Sequence, residues 1–440
     1  MPVFFMVRVL ICTKFVLTIR MKKETIIIVG AGIAGLTAAR KLANHNNVIL
    51  LEADNRAGGR IFGWADENFT QTVEGGSEFI HGKLKHTLQL LKKAGIKYVP
   101  VKGEMYRKEK GEWKQQHDII EGWDKLLRKM KKIKEDMTMG DFLNEYYSDE
   151  KFSNLRRNVI AFTEGFDVAN IKKVSVRSLY KEWSHEEGIN FRIPGGYHSL
   201  IEFLVAECKK KRCRIFTNET VKQIDWEPGS VAVYTNNDNK YQGGKVIVTV
   251  PVSILQRSLS KASINFTPPL DDYIAASKQI GFGSVIRIVL EFKEAIWKEN
   301  TGFILTDEII PTWWTQLPDP VPLLTGWVGG TKADLLSAET DDELLQKALL
   351  SLSNIFEMPV ENIKEKLSAA KIFNWQNNDF ALGGYSYLMP NSSVAIELLN
   401  TPAVNTIFFC GEALYEGNSP GTVEAAIANA KQTAAKILKG

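Results

Sequence analysis

The chain has 440 residues, 44% of them hydrophobic and 24% charged, with a formal net charge of +4 and four cysteines. That length can bury a large core and predicts two or three domains, while the nearly balanced charge argues against a dedicated nucleic-acid-binding protein. The scattered cysteines form no CxxC or Cys/His pattern, which argues against a disulfide framework and a metal site and favours the reducing cytoplasm.

The first twenty residues form an apolar run that Arg8 and Lys14 interrupt. Each charge would cost about 2.5–3.5 kcal/mol near the centre of a bilayer, and no small-residue cleavage site follows. We therefore predict that residues 1–20 are an extension with no part in the fold, that the first domain starts at Met21, and that the protein has no integral membrane association.

A strand, a glycine turn and a helix open the folded part of the chain. Ile26–Val29 is apolar on both faces, as in a buried parallel strand, and leads into Gly30-Ala31-Gly32-Ile33-Ala34-Gly35. The first glycine permits a tight turn, the second lets the backbone approach a pyrophosphate, and the third lets a helix over 33–43 pack on the sheet. The free N–H groups at the start of that helix attract phosphate.

A second strand, 48–51, ends at Glu52, whose carboxylate can accept hydrogen bonds from both hydroxyls of a ribose. The segment Arg56-Ala57-Gly58-Gly59-Arg60 then adds a second close backbone approach and a guanidinium suited to bidentate phosphate contact. Together these features predict a site for the ADP half of FAD rather than for NAD.

The basic run Lys125–Lys132 is compatible with nucleic-acid binding or with the solvated face of an amphipathic helix. We interpret it as the helix face and expect no nucleic-acid partner.

The second half of the chain returns to the nucleotide-binding domain. The turn Glu227-Pro228-Gly229-Ser230 separates predicted strands at 213–216, 220–226, 231–234 and 245–250. Near the C-terminus a strand over 407–410 ends at Gly411, and Gly421 precedes a predicted helix over 423–438. A second helix start thus faces a strand end, where it can hold an anion.

Six segments of the chain resemble the flavin-dependent amine oxidases, the family of monoamine oxidases, polyamine oxidases and lysine-specific histone demethylases. After the nucleotide fingerprint they are Glu74–Gly82, Pro194–Tyr197, Val246–Pro251, Ile280–Gly283, Trp375 with Gly383–Tyr387, and Phe409–Ala413 with Pro420–Ala426.

The resemblance implies an α/β fold with two domains. A Rossmann-like FAD-binding domain, similar to that of glutathione reductase, would comprise 21–83, 193–256 and 374–440. An α+β substrate domain would be inserted twice, as a helical, lysine-rich stretch at 84–192 and as a mixture of strands, such as Ser284–Phe292, and helices at 257–373.

The resemblance also implies the contacts of a non-covalent FAD. Monoamine oxidases bond the flavin to a cysteine in the segment that matches Gly383-Gly384, and here Tyr385 follows. In the family's pattern Glu412 bonds the ribityl chain, the backbone at Val423 meets the pyrimidine edge, and Val221 lies beside adenine. The predicted cofactor residues are Gly30, Gly32, Ile33, Ala34, Gly35, Glu52, Ala53, Arg56, Gly58, Gly59, Arg60, Gly75, Gly76, Ser77, Val221, Thr249, Pro251, Trp375, Gly411, Glu412, Thr422, Val423 and Ala426.

The implied reaction moves hydride from the carbon beside an amine to the flavin, and water hydrolyses the resulting imine to a carbonyl and a smaller amine. Oxygen, yielding hydrogen peroxide, or another acceptor then takes the electrons. Tyr385 is predicted to form an aromatic wall beside the amine. Thr422 stands at the position where monoamine oxidases have a second tyrosine. Demethylase-like members also have threonine at this position.

Arg287 replaces the lysine of the family's Gly-Phe-Gly-x-x-x-Lys pattern, which assists reoxidation by oxygen. Arginine stays charged and has a planar fork, so it cannot reproduce a compact ammonium, and we expect slow oxygen use. Three roles stay open for Arg287: flavin-side electrostatics, a clamp for a substrate carboxylate, and a structural salt bridge.

The resemblance brings the segment with Glu78 and His81 under the flavin ring. Glu78 can pair with a substrate ammonium and His81 can carry protons near neutral pH, although both residue types also serve as hydrogen-bonded scaffold. Trp313 and Trp314 are expected either to line a substrate tunnel or to pack in the core.

Two alternatives to an amine-oxidising enzyme stay open. One is a desaturase or ring oxidase of the same wider fold, acting on carotenoid- or porphyrin-like substrates, and the other is a flavin-binding scaffold without turnover. No motif identifies the amine or the oligomeric state.

Overall fold

The structure is a computed structural model that describes residues 23–116, 120, 122–185, 188–258 and 260–439, so the expected extension 1–20 lies outside the described residues. The strands, in chain order, are β1 (Thr25–Val29), β2 (Asn47–Leu51), β3 (Gly63–Trp64), β4 (Val73–Glu74), β5 (Phe79–His81), β6 (Val99–Pro100), β7 (Glu104–Glu109), β8 (Glu112–Gln115), β9 (Asn190–Arg192), β10 (Arg214–Phe216), β11 (Val221–Glu227), β12 (Ser230–Thr235), β13 (Lys240–Gly243), β14 (Lys245–Val248), β15 (Asn265–Thr267), β16 (Ile280–Phe282), β17 (Val285–Phe292), β18 (Thr301–Thr306), β19 (Thr312–Thr315), β20 (Leu323–Gly329), β21 (Leu367–Asn374), β22 (Ser386–Leu388) and β23 (Ile407–Phe409).

The helices follow the same chain order. They are α1 (Ile33–Leu42), α2 (Lys85–Ala94), α3 (Trp123–Met130), α4 (Met139–Tyr146), α5 (Ser153–Gly165), α6 (Val176–Trp183), α7 (His198–Lys210), α8 (Val252–Gln256), α9 (Asp271–Ser277), α10 (Gly330–Leu336), α11 (Asp341–Phe356), α12 (Val360–Lys366), α13 (Ser392–Asn400) and α14 (Val423–Lys439).

A five-stranded parallel sheet, in the order β10-β2-β1-β14-β23, forms the centre of the nucleotide-binding part. Its strands come from both ends of the chain and from the middle. Side chains such as Ile26 and Ile28 pack with α1, α7 and α14 on one face, while Ile27 and Val29 pack with β11 and β12 on the other. Helices and strands therefore cover both faces, which explains the unbroken apolar run of β1 and confirms the α/β class.

A second sheet, in the order β13-β12-β11-β15, packs on that layer. Its contacts differ from one predicted boundary between the two domains. Residues 265–280, which we expected in the substrate domain, lie with the nucleotide-binding part. The strand β15 pairs with β11, and Leu270, Ala276 and Ile280 share a core with β1 and β14. These short apolar segments carry no periodicity that distinguishes one domain from the other.

A seven-stranded sheet, in the order β21-β17-β20-β19-β18-β7-β8, forms the other part of the molecule. The strands β7 and β8 come from the stretch that we predicted to be helical, so that prediction was wrong for 104–115. Their sequence is rich in charge because β8 is an edge strand and both strands are only partly buried. Two distant stretches of the chain thus complete one sheet.

The helices α3 to α6 form a separate apolar cluster beside this sheet. In α3, Leu126 and Met130 are buried in the cluster, whereas Lys125 and Arg128 are exposed. The basic run is therefore the outer face of an amphipathic helix, as we interpreted it.

Most predicted strands and helices differ from the observed ones by one or two residues. The strand predicted over 245–250 ends at Val248. Beyond it the backbone N–H of Thr249 donates to the Val29 carbonyl, and the Thr249 hydroxyl donates to the carbonyls of Val29 and Gly30. Within the described residues, no helix is both long and apolar enough to cross a bilayer.

Candidate functional site

A cleft runs along the carboxyl ends of three parallel strands. Gly30 follows β1, Glu52 follows β2 and Thr249 follows β14, and all three line the cleft. Ligands of open parallel sheets bind at this edge, because the helix starts and loops that follow the strands converge there.

Two glycines shape the turn at the start of the cleft. Gly30 has φ +103°, and a Cβ there would lie 2.7 Å from Oγ1 of Thr249. A Cβ on Gly35 would collide with the carbonyl oxygen of Gly30. The turn and the helix α1 can therefore pack this closely only with glycine at both positions.

The first turn of α1 has amide groups that no side chain caps. Its N-cap residue, Gly32, has extended backbone, and no acidic residue lies in the first turn. Ile33 and Ala34 line the cleft with it. The free N–H groups and the positive end of the helix dipole thus create a site that favours an anion such as a pyrophosphate.

Glu52 stands at the edge of the cleft in a fixed orientation. Its Oε2 accepts from the backbone N–H of Ala31 at 2.6 Å, and its Oε1 accepts from that of Asp54 at 2.9 Å. Burial raises the pKa of the Glu52 carboxyl, and the two backbone hydrogen bonds oppose that shift. Val221 lines the same region, so an adenosine has a polar and an apolar neighbour there.

Arg56 and Arg60 brace the loop between them more than we expected. Arg56 donates to the carbonyl of Gly59 at 3.0 Å and lies over the ring of Phe62. Arg60 donates to the Gly384 carbonyl at 2.8 Å and to Oε1 of Glu412 at 2.9 Å. All the nitrogens of Arg56 have contacts of this kind, whereas both bonds of Arg60 come from Nη1, so bidentate phosphate contact stays a prediction for Arg60.

Most of the predicted cofactor residues line the cleft. Three do not: Gly35 packs beneath the turn, the Gly75 carbonyl accepts from the Trp375 indole at 2.8 Å, and Gly76 faces a second cavity. The residues that the cleft brings together are Gly30, Gly32, Ile33, Ala34, Glu52, Ala53, Arg56, Gly58, Gly59, Arg60, Ser77, Val221, Thr249, Pro251, Trp375, Gly411, Glu412, Thr422, Val423 and Ala426.

The second cavity has a volume of about 1260 Å³ and one face of the seven-stranded sheet forms its wall. A row of directly paired residues crosses that wall from β17 to β7, and each of them lines the cavity: Arg287, Trp327, Thr312, Leu305 and Arg107. Four strand spacings of about 4.8 Å make this row roughly 19 Å long. The cavity can therefore hold an elongated molecule.

The two cavities meet at a junction of five residues. Ser77, Tyr385, Gly421, Thr422 and Val423 line both the cleft and the second cavity. A cofactor that fills the cleft would therefore present one end to whatever occupies the second cavity.

Arg287 belongs to a buried ion network next to this junction. Its guanidinium donates to Glu78, and also to the carbonyl of Gly76 at 2.8 Å. Arg192 reaches the other oxygen of Glu78 at 3.0 Å, and the Trp314 indole donates to Glu78 at 3.0 Å. Arg287 and Glu78 are 2% and 7% exposed, so the network is almost dry.

The contacts of this network bear on our expectations for Glu78 and Arg287. Burial alone would raise the pKa of the Glu78 carboxyl, but the charges of Arg287 and Arg192 hold it below its usual value. Glu78 therefore stays ionised and already has its cations, which argues against its pairing with a substrate ammonium. Of the three roles left open for Arg287, the structural salt bridge is the one with a direct contact.

His81 lies in the second cavity and is neutral near pH 7. Burial lowers the pKa of its imidazole. Its Nδ1 lies 2.8 Å from Oδ1 of Asn190, which assigns the proton to Nδ1 and leaves the lone pair on Nε2. Its ring meets that of Phe166 edge-on at 5.3 Å.

Tyr385 and Thr422 stand together at the junction. The Tyr385 hydroxyl donates to the carbonyl of Phe166, which fixes the ring, and burial raises its pKa well above the usual value. The Thr422 hydroxyl donates to the Ser419 carbonyl at 2.7 Å and accepts from the Ala425 N–H at 3.2 Å. Thr422 thus caps the start of α14, and Tyr385 is the aromatic residue of this pair.

The two neighbouring tryptophans point to opposite faces of β19. Trp314 lines the cavity, whereas Trp313 is buried with Ile286 and Leu324 behind the sheet. The tunnel expectation thus fits Trp314 alone, because successive strand residues alternate between faces. We did not foresee Arg192, since it lies in no recognisable motif. In the described part of the chain, no group of three or more His, Cys, Asp or Glu is placed to hold a metal.

Comparison with known proteins identifies the family to which this chain is similar. Residues 33–438 match the family model described as flavin containing amine oxidoreductase. Lysine-specific histone demethylase 2 of Homo sapiens is 27% identical over 462 residues, a match that covers 94% of this chain and 53% of that protein. The peroxisomal N(1)-acetyl-spermine/spermidine oxidase of Bos taurus is 23% identical, with 84% of each chain covered.

Solved structures show the same fold. Putrescine oxidase bound to putrescine superposes with a TM-score of 0.81 at 19% identity, covering 95% of this chain and 99% of that one. Cyclohexylamine oxidase from Brevibacterium oxydans has a TM-score of 0.78, also at 19% identity and the same coverage. This chain spans about half the length, or less, of the demethylases that it matches.

Proposed function

The chain belongs to the flavin-containing amine oxidoreductase family, whose cofactor is FAD, and from this premise we propose that it oxidises the carbon–nitrogen bond of an amine by hydride transfer to the flavin. One observation carries the proposal: Ser77, Tyr385 and Thr422 line both the nucleotide cleft and the large cavity. A substrate in that cavity would meet the redox end of a cofactor in the cleft.

The residues of the cleft fit FAD. The uncapped amides of α1 suit its pyrophosphate, and Glu52 at the end of β2 suits the ribose hydroxyls. At the other end, Val423 starts α14, whose positive end suits the edge of the flavin that gains charge on reduction. We propose that the cofactor is held without a covalent bond, so acid precipitation should release it.

FAD, when bound, supplies the acceptor for the hydride that leaves the carbon beside the amine nitrogen. The protein must bring that carbon to the junction and keep water away. The ring of Tyr385, locked by its hydrogen bond to Phe166, provides a rigid wall there. The dry network of Glu78, Arg192 and Arg287 holds the Gly76 carbonyl and with it the neighbouring Ser77.

His81 is the proton acceptor that we propose for the amine. An amine must lose its extra proton before its carbon can release hydride, and His81 has a free lone pair on Nε2. The lowered pKa of its imidazole keeps it neutral, and so able to accept, at mildly acidic pH. Its contact with Phe166 connects it to the Tyr385 wall.

Arg287 is the reason to expect slow reoxidation by oxygen. It is fixed between Glu78 and the Gly76 carbonyl and cannot cycle a proton near neutral pH. We therefore propose that the reduced enzyme passes its electrons slowly to oxygen and more readily to another acceptor.

A stopped-flow experiment tests the proposal. The purified protein is mixed without oxygen with panels of primary amines, secondary amines and polyamines, and air is admitted afterwards. We expect an amine to bleach the flavin spectrum, recovery in air to be slow, and Arg287→Lys to accelerate that recovery. Bound FAD that no amine reduces would contradict amine oxidation and favour the desaturase or scaffold alternatives.

A further inference from the structure

We propose that Val168 is a positioning residue, whose left-handed backbone presents the carbonyl of Phe166 to the hydroxyl of Tyr385 and so fixes the aromatic wall at the junction. The inference rests on the proposed amine oxidation, because this wall would face the amine. Val168 lies outside the segments that resemble the family and outside every site that we predicted.

The backbone of Val168 has a conformation that its side chain disfavours. Its φ is +48°, in the left-handed region, where a β-branched residue is a rare exception. Among the described residues, Val404 is the other β-branched residue with a positive φ, but Val404 is exposed whereas Val168 is fully buried. Such a conformation persists only where the surrounding structure determines it, so the contacts of Val168 must offset its unfavourable backbone.

Two glycines from other segments make room for the turn that follows α5. A Cβ on Gly283 would collide with the carbonyl oxygen of Val168, and a Cβ on Gly329 would lie 2.9 Å from Cγ1 of Val168. The Trp327 indole donates to the Gly165 carbonyl at 2.7 Å, which fixes the start of the turn. The isopropyl group of Val168 thus fills the space between Gly283 and Gly329 and holds the backbone in place.

The same turn holds both the side chain and the backbone of Tyr385. Two residues before Val168, the carbonyl of Phe166 accepts the Tyr385 hydroxyl. Gly283, on which Val168 packs, donates its N–H to the Tyr385 carbonyl at 2.9 Å. The carbonyl of Gly283 also accepts from the Gly384 N–H at 2.7 Å. Val168 therefore supports the hydroxyl end of Tyr385 through Phe166 and its backbone through Gly283.

A change of φ at Val168 would move the carbonyl of Phe166. Ala169, the next residue, donates its N–H to the Thr163 carbonyl at 3.1 Å, so both ends of the turn are bound to α5. Because the ends are fixed, the peptide groups between them must take up the change, and one of these groups carries the Phe166 carbonyl. An isopropyl group that keeps Val168 in the left-handed region therefore keeps this carbonyl directed at Tyr385.

Alanine and glycine at position 168 separate the backbone conformation from the packing, since both lack the isopropyl group. Val168→Ala still disfavours a positive φ, so the turn should relax and release Tyr385, whereas Val168→Gly permits a positive φ and should keep the anchor. We expect flavin reduction by an amine to be about two- to fivefold slower in Val168→Ala than in Val168→Gly, because part of one hydrogen bond is lost. A role in packing alone would give the opposite order, because glycine removes one more carbon.

The position of the ring can also be measured without an amine. Fluorotyrosine is incorporated at position 385 of the FAD-loaded protein, and its ¹⁹F NMR spectrum is recorded. Val168→Gly should keep the wild-type spectrum, whereas Val168→Ala should show a shifted or additional resonance. Equal spectra in the two variants would overturn the proposal. Spectra that differ as expected, in a protein whose flavin no amine reduces, would overturn the proposed amine oxidation alone.

A second background tests whether Val168 acts through the Tyr385 hydroxyl. In Tyr385→Phe the hydroxyl is absent, so Val168→Ala and Val168→Gly should reduce the flavin at the same rate. A difference between them that persists in this background would overturn the proposed role. Val168→Ser and Val168→Asn form a second pair of the same kind if one of the first variants does not fold, because asparagine tolerates a positive φ and serine does not.

Val404 provides a matched control far from this turn in sequence. It has φ +45° in the segment between α13 and β23. At both positions the glycine variant should unfold at a higher urea concentration than the alanine variant, because glycine relieves the positive φ. At Val404, however, the two variants should reduce the flavin at equal rates. A rate difference at Val404 as large as the one at Val168 would overturn the proposal, since it would reflect stability alone.

Discussion

The nucleotide cleft and the large cavity are built on different principles. The cleft is made of backbone: glycine turns, the start of α1 and the ends of parallel strands. The large cavity is made of side chains that distant segments contribute, such as Glu78, Arg192 and Arg287. The backbone site has no room for an added atom at Gly30 or Gly35, whereas the side-chain site can be altered in charge while its shape is kept. The two regions should therefore fail in different ways.

The largest effect is expected in the cleft. Gly35→Ala places a methyl group against the carbonyl of Gly30, and the two backbone segments cannot separate without opening the turn. We expect purified Gly35→Ala to contain almost no FAD or to be insoluble, as measured by the flavin absorbance per protein. Gly165→Ala is the matched control, because no atom lies within 4 Å of its added Cβ. Normal FAD content in Gly35→Ala would contradict the close approach.

Removal of the Glu78 charge in the large cavity should have the next largest effect. Glu78→Gln leaves two buried arginines without their carboxylate, which costs about 3–5 kcal/mol in comparable buried pairs. The free energy of unfolding in urea measures this loss. The double variant Glu78→Gln with Arg287→Met should recover part of it, since one unpaired charge is removed. Additive losses in the double variant would show that the two residues do not stabilise each other.

A smaller effect is expected at the wall between the two regions. Tyr385→Phe loses the hydrogen bond to Phe166 and frees the ring, which should slow flavin reduction about five- to tenfold, in line with about 1 kcal/mol for one hydrogen bond. FAD content should stay normal. Tyr273→Phe loses a comparable hydroxyl–carbonyl hydrogen bond, to Thr401, in the nucleotide-binding part. The flavin of this variant should be reduced at the wild-type rate. Equal rates of flavin reduction in both variants would contradict the role of Tyr385 as the wall beside the flavin.

The smallest effect is expected in the pH dependence of the free energy of unfolding. Burial places the pKa of folded His81 below the 6.5 of the free side chain, so the unfolded state binds more protons as pH falls through 6.5. The free energy of unfolding should therefore fall with decreasing pH below that value, by at most about 1.4 kcal/mol per pH unit.

His81→Gln isolates this contribution, because it removes the titrating group and leaves every other one in place. Urea unfolding of both proteins at pH 7.5 and 5.5 measures the difference. We expect the wild type to lose more stability than the variant, and an equal loss would show that His81 is not neutral in the folded protein. Since His81 stays neutral as pH falls, the rate of flavin reduction in the wild type should hold to below pH 6.5.

The difference between the two regions also explains which structural features could be predicted from the sequence. The strands, helices and glycines of the cleft lie in continuous segments with strong local patterns, and their boundaries came within one or two residues. The hairpin β7–β8 was missed because a charged edge strand lacks an apolar face. Trp313 and Trp314 could be assigned to core and cavity only once the register of β19 was known.

The sequence by itself indicated the family through six segments that resemble it. It also determined the FAD cofactor and the fold class, because a dinucleotide is held by backbone geometry that glycine spacing and strand periodicity encode locally. Only the tertiary structure decided how the charged side chains of the cavity pair. Glu78 meets Arg192 and Arg287 across 114 and 209 positions (192 − 78 and 287 − 78). A charged residue in the sequence has many possible partners over such distances, and burial in one shared cavity selects among them.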